Sequence, residues 1–171
     1  LDLAQGPPKG IFNKVRTVGE LIGLVKSQPK LVGRGDCQEI VLTGSDADLN
    51  MFPALKCWPM DAGRYITLPI VISRDPKSGR RNVGTYRMQI YDSHTAGMHW
   101  QTHKVGTHHQ RMESERGNER MEVAVAFGGD PATIWSGSAP LPPDVSEYLL
   151  ARFLRGKPVP VAKGVTVDLD V

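Results

Sequence analysis

Residues 64–91, RYITLPIVISRDPKSGRRNVGTYRMQIY, make the strongest statement about architecture in the chain. The run 64–74 is rich in β-branched residues, and Asp75-Pro76-Lys77-Ser78-Gly79 supplies the residue types that a tight reversal needs. Residues 82–91 then return as a second strand, so the stretch predicts an antiparallel hairpin with a five-residue loop. Alternation along the second strand puts Val83, Thr85, Arg87, Gln89 and Tyr91 on one face and Asn82, Gly84, Tyr86, Met88 and Ile90 on the other. Neither face is cleanly apolar, which is unusual for a strand whose only task is packing. Gly84 allows close approach of a ligand or another backbone.

Downstream of the hairpin, residues 92–97 should turn and 98–105 return as strand. All five histidines, His94, His99, His103, His108 and His109, fall within 94–109. Imidazole is the commonest protein metal ligand and titrates near neutrality, so the clustering asks for metal, proton-transfer or anion chemistry; solvated loop histidines are the plainer explanation. As strand or as helix, His99 and His103 would share a face. In HWQTH, Trp100 stands where a zincin needs its glutamate base, which excludes a zinc protease. Residues 108–116 read as a polar helix capped by Gly117, and 121–127 as a strand. Asp130 then reads as an N-cap with Pro131 at the first helical position. The preceding glycines lack the spacing of a P-loop. Residues 135–143 are too rich in Pro, Ser and Gly to be regular. Residues 144–154 form an amphipathic helix ended by Gly156, with D-x-x-E placing Glu147 at the third position of a capping box. Residues 157–171 alternate and should rejoin a sheet.

Upstream, 39–43 (EIVLT) reads as a short strand followed by a turn over 44–49. Residues 17–26 open with the capping box Thr17/Glu20 and carry Val18, Leu21, Ile22 and Val25 at helical spacing, a packing helix without chemistry. Residues 1–12 are an extended lead-in.

The 171 residues suffice for one domain burying roughly 70% of its unfolded surface. Lys and Arg exceed Asp and Glu by 21 to 18. A net charge of +3 is too mild to point to nucleic acid, yet suits an anionic cofactor or substrate. Cys37 and Cys57 form no CxxC motif, leaving two reduced thiols as the simplest account and a single disulfide open. There is neither an apolar run long enough to span a membrane nor a signal-peptide pattern, so the expected location is the cytoplasm. The chain lacks an initial Met and ends in the alternating VTVDLDV, which suggests cut edges.

Three groups emerge as candidates for chemistry: Asn82 with Arg87, the histidine cluster, and Glu147. Asn82, His103 and Glu147 could supply one neutral oxygen, one imidazole and one carboxylate to a divalent cation, although spacing alone does not show that they meet. The planar fork of Arg87 suits a carboxylate or phosphate.

Taken together, NVGTYRMQ (82–89), GMHWQTHKVG (97–106) and AVAFGGDPATIWSGSAPLPPDVSEYLLARFLRGKPVPV (124–161) resemble the UbiD family of decarboxylases, which use prenylated FMN. DADLNMFP (46–53) and DAGRYITLPIVISRDPKSG (61–79) fit the same pattern, so the likeness runs from about Pro29 onward. The resemblance implies an α+β fold, mainly antiparallel β, specifically a split β-barrel of the flavin-reductase type with flanking helices. It makes 1–171 a single cofactor-binding domain, with 1–30 as lead-in and packing helix and 31–171 as barrel core. It also implies reversible decarboxylation of aromatic or α,β-unsaturated carboxylic acids. The flavin phosphate would be held through a divalent cation, usually Mn2+, with K+ nearby. Carried over, Asn82, His103 and Glu147 match the metal ligands. Thr85, Tyr86 and Arg87 match the flavin-binding turn, His99, Trp100, Gln101, Lys104 and Val105 a second flavin-contacting segment, and Pro140 the loop that meets the cofactor and offers carbonyls to K+. Arg87 matches the arginine of the catalytic Arg/carboxylate network.

Further expectations from the resemblance are a flavin prenyltransferase as cofactor supplier and a homo-oligomer for the full-length protein. The family's catalytic carboxylates follow the strand that VTVDLDV resembles. The 171 residues alone should therefore bind cofactor weakly and turn over little. A flavin or metal carrier without chemistry of its own is the alternative from another class, and an unrelated histidine-rich metallohydrolase the third.

Overall fold

The computed structural model describes residues 28–142 and 145–171. The lead-in over 1–12 and the helix expected over 17–26 lie outside the described residues, as does Asp144 of the expected capping box.

The hairpin forms where the sequence places it. Strand β3 (Ile70–Arg74) pairs antiparallel with β4 (Arg81–Thr85), Ile72 opposite Val83 and Ser73 opposite Asn82. The Asp75 carboxylate accepts from the Lys77 and Ser78 amides, and Gly79 takes φ +72°, a left-handed conformation that costs glycine little. Those bonds, led by the one from the Ser78 amide, hold the Asp75 carboxyl at about 2. Strand β7 (Ala124–Ala126) adds to the other edge of β3, giving the order β4-β3-β7. Both long strand runs are interrupted. Residues 64–74 divide into β2 (Arg64–Ile66) and β3, because Pro69 has no amide to give a ladder. Residues 82–91 divide into β4 and β5 (Met88–Ile90), so β5 pairs with β2 and with β6 (Ala96–Met98) in a second antiparallel sheet. Beyond the break the alternation holds, with Tyr86, Met88 and Ile90 buried and Arg87 and Tyr91 exposed, but within β4 both faces are covered, Val83 being buried like Asn82.

The third pair is long-range and parallel, with β1 (Lys30–Val32) beside β8 (Pro160–Ala162). The fold is thus α+β and mainly antiparallel, with three small sheets and no closed barrel among the described residues. The described residues also form three α-helices: α1 (Val105–Glu115), α2 (Pro131–Ser136) and α3 (Glu147–Arg155).

The core joins Ile70 and Ile72 of β3, Val83 of β4, Ala124 of β7, Tyr148 and Ala151 of α3, Val161 of β8, and Leu169. Tyr148 and Ala151, three apart, define the face of α3 that packs on the β4-β3-β7 sheet. Gly156, at φ +71°, ends the helix as expected. Asp130 caps α2 through the Ala132 amide, with Pro131 in the first turn, and its carboxylate also pairs with Arg155 of α3. The two helices are thereby held together.

Three expectations fail. Residues 39–43 form no strand: Ile40 and Val41 are exposed, and 3-10 turns occupy Asp36–Gln38 and Gly44–Asp46. Residues 99–103 are neither strand nor helix, since β6 ends at Met98 and α1 starts at Val105. Glu147 is the first residue of α3 after Ser146, not the third of a capping box. Cys37 and Cys57 are both free and exposed. No helix among the described residues is long and apolar enough to cross a membrane.

Candidate active site

The end of β4 is where separate parts of the chain converge. Tyr86 is buried, and its ring packs edge-on against Trp100, centroids 4.9 Å apart. Its hydroxyl accepts from the Gly106 amide at 2.9 Å, which anchors the first turn of α1. Two glycines make this possible. A Cβ on Gly84 would lie 2.5 Å from the Tyr86 ring, and one on Gly106 would lie 2.8 Å from the Tyr86 hydroxyl. The space that Gly84 leaves open is therefore filled by the protein's own tyrosine and not by a ligand.

Lys104, just before α1, donates from Nζ to the Thr85 carbonyl at 3.2 Å and stands 5.2 Å from the Tyr86 ring centre. From the other side, the loop after α2 reaches Thr85. The Thr85 amide donates to Gly137 O at 3.1 Å, and Ser138 Oγ donates to Thr85 Oγ1 at 3.0 Å. That loop carries Pro140, which is exposed. Thr85, Tyr86, Trp100, Lys104 and the loop leading to Pro140 thus meet at one junction. Gln101 lies beside it, its carbonyl accepting from the Lys104 amide and from Thr107 Oγ1, while Val105 opens α1 half exposed.

Arg87 stands somewhat apart. Its guanidinium lies over the Tyr65 ring at 4.7 Å and its carbonyl accepts from the His99 amide, leaving the cationic fork exposed.

The three residues expected to ligate a divalent cation stand on β4, on α3 and in the turn before α1. Asn82 is buried on β4 and donates from Nδ2 to Ser73 Oγ at 3.3 Å and to the Tyr86 hydroxyl at 3.5 Å. Glu147 accepts from the Val83 amide at 3.3 Å, so its carboxylate sits against the strand next to Asn82. Burial is the main influence on this carboxyl and raises its pKa. His103 is exposed in the turn before α1, one residue from the Lys104 that is tied to Thr85. An amide oxygen, a carboxylate and an imidazole form a suitable donor set for a divalent cation, and a half-buried carboxylate with no cationic side chain bonded to it among the described residues fits such a partner.

The histidine cluster does not act as a unit. His94, His99, His103 and His108 are exposed, whereas His109 is buried on α1. Among the described residues, no three His, Cys, Asp or Glu side chains are grouped to hold a metal. Reading the sequence missed the partner of His109: its Nδ1 lies 3.1 Å from Oγ of the fully buried Ser73. Burial, the dominant influence, lowers the His109 pKa, with Asp75 opposing and His108 and Arg80 reinforcing. The strand face shared by Ser73 and Asn82 was the available signal, but nothing local connects residue 73 with residue 109.

These features define a class: an α+β domain of small, mainly antiparallel sheets with a polar junction, carrying Lys104, at the end of one strand. The model of the UbiD 3-octaprenyl-4-hydroxybenzoate carboxy-lyase Rift-related domain matches residues 30–171, and the chain belongs to the UbiD family. An uncharacterised protein of Archaeoglobus fulgidus is 46% identical over 164 residues, covering 96% of this chain and 33% of that protein. One from Aquifex aeolicus is 48% identical over 163 residues, covering 95% and 33%. The chain therefore spans about a third of the length of the relatives it matches. Among solved structures, the UbiD-class enzyme HmfF from Pelotomaculum thermopropionicum in complex with FMN superposes with a TM-score of 0.77 at 30% identity, covering 90% of this chain and 36% of that one. Vanillic acid decarboxylase from Sedimentibacter hydroxybenzoicus, in closed form, shares the fold at a TM-score of 0.79 and 22% identity, covering 95% and 36%.

Proposed function

We propose that this chain is the cofactor domain of a prenylated-FMN-dependent carboxy-lyase that removes CO2, reversibly, from aromatic or α,β-unsaturated carboxylic acids. The observation that carries the reading is the junction at Thr85 and Tyr86, where the start of α1 and the loop after α2 close on the end of β4. HmfF, with the same fold, has been seen with FMN, and an evolved dimeric form of it with prFMN. The arrangement of β4, β5 and α1 is consistent with the split β-barrel of the family, 31–171 forming its core behind the lead-in of 1–30.

When bound, the modified flavin supplies the electron sink for loss of CO2. The protein's own groups position the reactants. Lys104 places a positive charge beside Thr85, where a phosphate tail would be neutralised. Asn82, His103 and Glu147 would hold a divalent cation, Mn2+ in the first instance, which would supply positive charge to offset a phosphate tail. Carbonyls around Pro140 would be the oxygen donors for K+. Tyr86, His99, Trp100, Gln101 and Val105 contribute to the flavin-facing wall. Arg87, whose fork is exposed over Tyr65, receives the substrate carboxylate in bidentate fashion.

Co-expression with a flavin prenyltransferase tests this directly. The expected outcome is a protein that retains flavin absorbance and Mn2+, and that in a polypeptide of the relatives' length decarboxylates members of an aromatic and cinnamate-like acid panel. Retained flavin without turnover in the longer polypeptide would leave a flavin and metal carrier. Failure of that polypeptide to retain any flavin would overturn the reading.

A further inference from the structure

A cation can use an asparagine side chain only through its oxygen, so the ligand must be held with its NH2 group turned away. Asn82 has both amide hydrogens directed at hydroxyls, Ser73 Oγ at 3.3 Å and Tyr86 OH at 3.5 Å. The amide oxygen accepts no hydrogen bond among the described residues and is left for another partner. Ser73 is fully buried and faces Asn82 across the β3-β4 ladder, and its remaining contact is His109 Nδ1 at 3.1 Å.

Two proton arrangements of this chain of groups are possible, and they exclude one another. If Nδ1 accepts from Ser73, the hydroxyl spends its proton on the imidazole and can only accept from Asn82, which turns the amide oxygen outward. If Nδ1 carries the proton and donates it, the serine hydroxyl is free to donate to the asparagine oxygen, and the amide would present NH2 to the cation. The amide is placed as in the first arrangement, with Nδ2 within reach of both Ser73 Oγ and the Tyr86 hydroxyl, which accepts from Gly106 and retains a lone pair for the second amide hydrogen.

We propose that Ser73 and His109 form a buried positioning relay that fixes the orientation of Asn82, with its amide oxygen presented for the divalent cation. The proposal rests on the cation reading given above. Neither residue touches the cation: His109 sets the direction of the serine hydroxyl, and the hydroxyl sets the amide. Outer partners of this kind typically change metal affinity 10- to 100-fold.

The test has two readouts in a polypeptide of the relatives' length, whose folding is checked by circular dichroism. The first is the Mn2+ dissociation constant with FMN present, from the free-ion paramagnetic resonance signal. The second, without metal, is the solvent exchange of the Asn82 side-chain amide protons. Ser73→Ala and His109→Leu are expected to weaken Mn2+ binding about 10- to 100-fold and to speed that exchange. His109→Asn, which keeps an acceptor near the Nδ1 position, is expected to restore most of both. Wild-type affinity and unchanged exchange in Ser73→Ala would overturn the relay, while loss of binding in Glu147→Ala would still leave the cation reading standing. Absence of Mn2+ binding by the unsubstituted chain would overturn both. Should Ser73→Ala fail to fold, the His109 pair decides: affinity kept with Asn and lost with Leu supports the relay, and equal affinity in the two overturns it.

Discussion

Tyr86 shows how much can hang on one hydroxyl. It accepts from Gly106 in a buried setting, so Tyr86→Phe strands an amide as well as removing a contact to Asn82. The expected cost is about 1–3 kcal/mol in urea unfolding, well above what loss of a solvated hydroxyl would produce. His109 makes a prediction in pH. Burial depresses its folded pKa below the ordinary 6.5, so the unfolded chain takes up the proton first as pH falls. Its contribution to stability is full above 6.5 and is lost as pH falls from there through the folded value. Asp75, held at about 2, acts only in a separate window, between its ordinary 3.8 and that value. Urea midpoints should therefore decline between pH 7.5 and 5.5, and His109→Gln should flatten the decline. Glu147 has the opposite sign: its raised pKa makes the carboxylate a liability in the cation-free chain, one that grows as pH rises from the ordinary 4.5 and is complete above the folded value. Glu147→Gln should leave urea stability at pH 7.5 unchanged or higher while Mn2+ binding falls sharply. A role confined to capping α3 predicts the reverse pair of results.

Local chemistry explains which secondary elements could be foreseen. The β3-β4 hairpin is written in its own turn, where Asp75 and Gly79 do the work within five residues, and the α2 cap is likewise contained in Asp130-Pro131. The misread stretches are those in which a distant contact or a missing donor outweighs propensity. Residues 39–43 have β-branched side chains but find no partner strand among the described residues, and Pro69 cuts a run that looks continuous by composition. The pairing of β1 with β8 joins residues 130 apart, Lys30 with Pro160, and leaves no periodic trace. The site shows the same division. The flavin and metal residues were named from motifs whose resemblance spans separate segments, whereas the Ser73 and His109 contact depends on α1 lying against β3. Arg155 carries a consequence of its own. Its pairing with Asp130 ties α3 to α2, its bond to the Pro158 carbonyl holds the chain leaving α3, and the loop that contacts Thr85 follows α2 directly. Arg155→Ala should cost about 1.5–3 kcal/mol, since a charge-assisted, partly buried contact is lost, and should weaken flavin retention through the displaced loop. Thermal melts and bound-flavin absorbance of the same preparation separate the two effects.

Among the described residues, several large apolar side chains stand in solvent, Leu55, Trp58, Met60 and Leu68 among them. A groove of about 430 Å3 runs between Phe52, Leu55, Leu68, Phe127 and Ile134, with Leu55 and Leu68 about two-thirds exposed, and Trp58 and Met60 stand further out. Scattered apolar residues mean little, but a contiguous strip of this kind marks a surface that is normally covered. The relatives are about three times as long as this chain, which leaves ample polypeptide to do so. Burying such a strip contributes on the order of 25 cal/mol per Å2, so its exposure favours self-association over solution as a monomer. The 171 residues alone are thus expected to bind a hydrophobic dye and to sediment as concentration-dependent aggregates. Leu55→Glu with Leu68→Glu should reduce dye binding and shift sedimentation toward monomer. In a polypeptide of the relatives' length the same pair should lower the melting temperature, because two carboxylates would then have to be buried or the contact broken. Equal melting temperatures in the longer protein would show that the groove stays open to solvent there, and the strip would then need a different explanation from an interdomain contact.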